Sequence, residues 1–186
     1  MRVFIAIPTP DRVAETIILD TAALRGAYPD LKWIGMDALH LTLNFLGEVI
    51  KEQLEPICQV MDAAGQAQAP FRLRYHGLGF FPPRGRPRVL YLHVEEGRRE
   101  CELIQRVLSA GLDGIVRLDR RKFTPHLTLA RIKNSRKWPD VYSEGTDKSA
   151  EFTAERIVLF RSHLKPDGAE YEELYSVQLG RDKEDV

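Results

Sequence analysis

Long apolar runs are missing from this sequence. The opening Arg2-Val-Phe-Ile-Ala-Ile stretch is stopped by Pro8, and no later run approaches the roughly 20 residues of a membrane-spanning helix. The same stretch is too short for the apolar region of a signal peptide followed by a cleavage site, so a soluble protein of the cytoplasm, away from membranes, is expected. Cysteine is scarce: only Cys58 and Cys101 occur, neither in a CxxC or other metal-type spacing, and reduced, partly buried thiols are expected. Net charge is absent as well. The 27 Lys and Arg residues cancel the 27 Asp and Glu, so no overall field advertises a polyanionic partner, and any basic patch must be found by position.

Several catalytic signatures are missing too. There is no His-x-His, no His-Glu-x-x-His and no acidic cluster beside the histidine motifs described below, so no metal site is expected. Gly77-Leu-Gly79 is too short for a phosphate loop and lacks the Lys-Ser/Thr ending, and no Gly-x-Ser-x-Gly nucleophile elbow occurs. No cofactor is expected either.

What is present is an ordinary soluble composition, 44% hydrophobic and 29% charged over 186 residues, enough for one domain or two small lobes sharing an interface. Alternation predicts strands over residues 2–7, 31–34, 71–80, 88–94, 155–164 and 171–179, as well as through the two motifs below. Apolar residues at helical spacing predict helices over 11–28, 51–64 and 97–112. Thr9-Pro10-Asp11 reads as a cap with Pro at the first helical position. Residues 134–148 read as an irregular surface segment, 165–168 as a turn and 181–186 as a frayed tail. No Pro/Ser-rich linker divides the chain, so one α+β unit of two lobes is expected over 1–186.

The strongest pattern is a repeat. His40-Leu-Thr-Leu returns as His126-Leu-Thr-Leu. In a strand, His40, Thr42 and Asn44 share one face and Leu41, Leu43 and Phe45 the other; His126 and Thr128 likewise oppose Leu127 and Leu129. Two copies nearly half a chain apart argue for two related halves, each delivering one histidine to a shared groove. Two imidazoles form a natural acid–base pair near neutrality, one accepting a proton from water and the other donating one to a leaving oxygen. The hydroxyls of Thr42 and Thr128, about 7 Å further along each strand face, are suited to donate to phosphate oxygens. Such a set suits a strained cyclic phosphodiester. His76, His93 and His163 have no such company and read as structural or surface residues.

Cations gather in two stretches: Arg72, Arg74, Arg84, Arg86 and Arg88, and then Arg117, Arg120, Arg121, Lys122, Arg131, Lys133, Arg136 and Lys137. They read either as a track for a phosphate chain or as solvated loop charge. Phe80, Phe81 and Trp33 read as core rings or as platforms for a base.

With both motifs in place, the sequence resembles the two-histidine (2H) phosphoesterase superfamily, and within it the RNA 2′,3′-cyclic phosphodiesterases, also called 2′-5′ RNA ligases. The likeness is carried by Arg2-Val-Phe-Ile-Ala-Ile, His40-Leu-Thr-Leu-Asn-Phe-Leu-Gly-Glu, Phe123-Thr-Pro-His-Leu-Thr-Leu-Ala-Arg, and Leu159-Phe-Arg-Ser with Gly168 and Tyr171. The resemblance implies a bilobal, pseudo-twofold fold in which two antiparallel sheets line a central cleft with helices outside. It implies metal-independent hydrolysis of 2′,3′-cyclic phosphate ends of RNA or nucleotides to 2′-phosphates; a monomer is expected, and 2′-5′ ligation is left open. It further implies that His40 protonates the leaving 3′ oxygen, that His126 activates water, and that Thr42 and Thr128 hold the phosphate with Arg131 nearby. Strict alternation puts Arg131 on the face away from His126, so its part requires a strand end or a bulge. Two other readings stay open: a 2H enzyme for another cyclic nucleotide or a 2′-5′ linkage, and a nucleotide- or RNA-binding module without turnover.

Overall fold

Val, Phe and Ile at the head of the chain form strand β1 (Arg2–Pro8) in the computed structural model, which describes residues 1–119, 121–132, 149–165 and 168–180. Where one helix is predicted over 11–28, two form: α1 (Asp11–Asp20) and α2 (Ala22–Ala27). The break falls at Thr21, whose hydroxyl donates to the Ile17 carbonyl at 2.7 Å, an acceptor that its own N–H also uses at 3.0 Å. The expected Thr9 cap is not made. Pro10 occupies the cap position, and the Thr9 hydroxyl is instead buried beside the Tyr75 phenol.

The remaining elements run β2 (Lys32–Trp33), β3 (His40–Glu48), α3 (Leu54–Gln66), β4 (Phe71–Phe81), β5 (Val89–Glu96), α4 (Arg98–Leu112), β6 (His126–Arg131), β7 (Ser149–Ala154), β8 (Arg156–Lys165) and β9 (Gly168–Gln178). Pro56 sits in the first turn of α3, where a missing N–H costs nothing. The predicted segments 134–148 and 181–186, and the interior of the 165–168 turn, lie outside the described residues.

Two antiparallel sheets result, ordered β3-β1-β8-β9 and β2-β6-β5-β4-β7. Apart from β2, added at one edge, the orders match strand for strand: each motif strand lies beside a strand that precedes it in the chain, β1 for β3 and β5 for β6. That is the pseudo-twofold arrangement. The α3 and α4 faces carrying Ile57, Met61 and Ala64, and Cys101, Ile104 and Leu108, are fully buried, and one core cluster runs under both sheets. Each fully buried Ile or Leu contributes roughly 1.5–3 kcal/mol. Gly111 lets the two helices approach closely, since a Cβ there would lie 2.7 Å from Val60. Among the described residues, no helix is long and apolar enough to cross a membrane.

The face of the first sheet turned away from the helix-covered core carries a second, smaller apolar cluster of Phe4, Ala6, Val158 and Phe160, with Tyr171 packed against it. This surface leads to His40.

Candidate active site

Both motif strands change face partway along, and that change builds the site. In β3, Ala6 pairs with Thr42 and Ile5 with Asn44, leaving Leu43 as an extra residue. Such a bulge resets the alternation. His40, Thr42 and Phe45 therefore share the site face, while Leu41, Leu43 and Asn44 turn inward. The expected placing of Asn44 beside His40 and of Phe45 in the core is thus reversed: Asn44 is 7% exposed and Phe45 50%. In β6, Tyr91 pairs with Thr128 and Leu90 with Ala130, skipping Leu129. The bulge is at the same motif position, and Arg131 emerges on the face of His126 and Thr128. The two sheets meet where β3 and β6 touch.

Inside the core, Asn44 Nδ2 donates to Ser109 Oγ of α4 at 2.9 Å, and Gln105 Nε2 donates to the same oxygen at 2.8 Å. Asn44→Ala removes a donor from the half-buried Ser109 hydroxyl and opens a small void where the buried Asn44 side chain stood. A loss of about 1–3 kcal/mol is expected, read as a lower urea midpoint; an unchanged midpoint would show the bond to be of no consequence.

The histidines are held alike. His40 Nδ1 bonds the Ala38 carbonyl at 2.8 Å and His126 Nδ1 the Thr124 carbonyl at 2.7 Å, in each case two residues upstream. A carbonyl only accepts, so the proton of the neutral ring resides on Nδ1, and Nε2 is left with a lone pair. Aromatic rings box each imidazole. His40 stacks on Phe4 (4.7 Å between centroids) and meets Tyr171 edge-on at 5.1 Å. His126 meets Phe81 at 4.9 Å and Tyr91 at 5.2 Å, both edge-on.

Those rings exclude water, and burial is the main force on both histidines. It holds His126 below the ordinary histidine range and brings His40 down to about 4. The Arg131 charge pushes both the same way; the bonds to backbone carbonyls oppose it without cancelling burial. In the free protein at neutral pH both rings are therefore neutral, and His40, the acid by family resemblance, is the more strongly depressed. An anion placed between them would favour an imidazolium.

Other expected residues are dispersed. Phe81 reaches the site, but Phe80 and Trp33 pack against the core; Trp33 lies under the Arg25 guanidinium and donates to the Tyr28 carbonyl. His163 pairs with Glu172 at 2.8 Å on the surface. Arg72 is bridged to Glu151 and Glu96, Arg74 to Glu95 and Arg121 to Asp119, so each of these cations has a carboxylate beside it at the surface. Arg84, Arg86, Arg88 and Arg117 are exposed, whereas Arg120, Lys133, Arg136 and Lys137 lie outside the described residues. His93, read as structural or surface, stands directly across from His126 on the site face.

Two His-x-Thr strands at matched places in a two-sheet, pseudo-twofold fold define a two-histidine phosphoesterase. Within that class, the chain belongs to the 2′-5′ RNA ligase superfamily, whose family model matches residues 9–166. It is 33% identical to an RNA 2′,3′-cyclic phosphodiesterase of Thermus thermophilus, with 96% of this chain and 90% of the relative covered. It is 32% identical to one of Geobacillus stearothermophilus, with 87% of this chain covered; there the chain spans about half, 52%, of the relative's length. Among solved structures, one from Thermus thermophilus superposes with a TM-score of 0.82 at 31% identity, covering 97% of this chain and 98% of the other. E. coli LigT complexed with 3′-AMP superposes at 0.78 and 24% identity with the same coverage, and shares the fold.

Proposed function

We propose that this protein, acting as a single bilobal domain and a monomer in the cytoplasm, hydrolyses 2′,3′-cyclic phosphate ends of RNA to 2′-phosphates. The observation that carries the reading is the matched pair of imidazoles, each with Nδ1 tied to a carbonyl, which leaves the lone pair on Nε2. The names of the relatives support the substrate class. His126 Nε2 takes a proton from water as its oxygen attacks phosphorus in line with the 3′ oxygen. The P–O3′ bond breaks, and His40 gives its proton to that oxygen. Thr42 and Thr128 donate to the non-bridging oxygens, and Arg131 offsets their growing charge. A 2′-phosphate monoester and a 3′-hydroxyl remain.

An oligonucleotide ending in a 2′,3′-cyclic phosphate, incubated with the protein in EDTA and resolved against 2′- and 3′-phosphate standards, tests this directly. Conversion to the 2′-phosphate at an undiminished rate is expected, because proton transfer and hydrogen bonding supply the needed chemistry. Loss of turnover in EDTA, restored by a divalent cation, would sink the metal-independent mechanism. Turnover of only a 2′-5′ linkage or a different cyclic nucleotide would move the activity to another substrate of the same class.

A further inference from the structure

His40 and His126 are held alike, but their nearest cross-strand neighbours differ. Pro8 stands opposite His40 in the β1–β3 pairing, and His93 stands opposite His126 in the β5–β6 pairing. Side chains of directly paired residues lie on one face, and the rings of His93 and His126 both meet Tyr91 edge-on, at 5.0 and 5.2 Å. The place of His93 is a built one. A Cβ at Gly79 would lie 2.7 Å from His93 Nε2 and 2.6 Å from Tyr91 Cζ, so only glycine lets the two rings lie across β4.

We propose that His93 is a third proton carrier of the site: a positioning residue that, once protonated, holds His126 in its neutral, base form and leaves the remaining proton to His40. The inference rests on the reading of His126 as the base. Like charges facing each other across paired strands do not both form cheaply. His93 is the less buried of the two, so burial opposes its proton less than that of His126. Its charge then acts on His126, where a positive effect of His93 is felt directly. Among the described residues, the charged and titratable groups facing this pair are Tyr91 on β5, Arg98 at the start of α4 and Arg131 at the end of β6, with His40 across the site. The Arg98 charge presses on His93, and the Leu78 carbonyl of β4 lies against its ring and favours the proton.

The sign follows. Removing the His93 charge makes His126 easier to protonate, so the acidic limb of kcat/KM moves to higher pH. For unit charges on directly paired side chains in a half-solvated site, the displacement is roughly half to one pH unit, or a three- to tenfold loss on the acid side. The experiment compares pH profiles of wild type, His93→Gln and His93→Lys on a cyclic-phosphate-ended RNA, together with NMR titration of the His126 ring. The expected result is a limb moved upward in His93→Gln and returned by the permanent charge of His93→Lys. An unmoved limb, a uniform loss at every pH, or identical behaviour of the Gln and Lys variants overturns the proposal. In the wild type alone, the His126 resonance must show a second inflection where His93 takes its proton, and a single-step curve is equally fatal. That titration needs no turnover, so a wild type inert on every cyclic ester would defeat the proposed reaction while leaving the part of His93 decided by NMR.

Discussion

His126→Ala is expected to stop hydrolysis of a ribose cyclic phosphate, with kcat/KM down by about a hundred- to ten-thousandfold, and to remain inactive on an activated ester. The base is needed whatever leaves, because water must be deprotonated as it attacks. His40→Ala should be comparably damaging on the ribose ester, whose oxygen is a poor leaving group. On a nitrophenyl phosphodiester, whose leaving oxygen needs no proton, its loss should shrink to a small factor. The contrast tests roles that the free protein does not fix, since burial depresses His40 more than His126. If His126→Ala is the variant rescued by the activated ester, acid and base are exchanged. If either variant keeps near-normal turnover on the ribose ester, the two-histidine mechanism is wrong for this protein.

Arg131→Ala is the second large effect expected, about a hundred- to thousandfold in kcat, the range for losing one donor to a developing oxyanion. Arg131 is exposed on the site face, and its charge reaches His40, His126 and Tyr171. Arg131→Lys retains the charge without the planar fork and should recover only part of the rate. The loss of charge has a second signature. Both histidines become easier to protonate, so the acidic limb of kcat/KM also moves upward while the plateau falls. A plateau within a factor of two of wild type in Arg131→Ala would place this residue outside the reaction.

Alternation made His40, Thr42, His126 and Thr128 legible in the sequence, because a strand with one leucine face and one polar face has a single way to pack. It failed one step later in both motifs. Where the extra residue falls is decided by which residues of β1 and β5 pair with the strand, and the pattern Leu-Asn-Phe or Leu-Ala-Arg holds no sign of that. His93 escaped notice for a related reason: its significance lies in facing His126, a register fact. The arginines of β4 looked free because the glutamates that bind them come from β5 and β7, distant or unassigned in a linear reading. Residues 149–154, Ser-Ala-Glu-Phe-Thr-Ala, lack the run of branched residues that announces a strand, and β7 forms because β4 offers it an edge.

The matching carbonyl tethers on the two imidazoles bear on the direction of chemistry. By microscopic reversibility, a group that donates a proton in one direction must accept it in the other. Here each ring is fastened for either duty, with the same nitrogen presented and the same tautomer held. Neither half of the scaffold has to rearrange for the reverse step, in which the 3′ hydroxyl attacks a 2′-5′ diester and the 5′ oxygen of the second strand departs. For the reaction proposed above, joining two RNA ends would be the hydrolytic step with an alcohol in place of water, its yield set by the concentration of ends and the free-energy difference between a cyclic and an open diester.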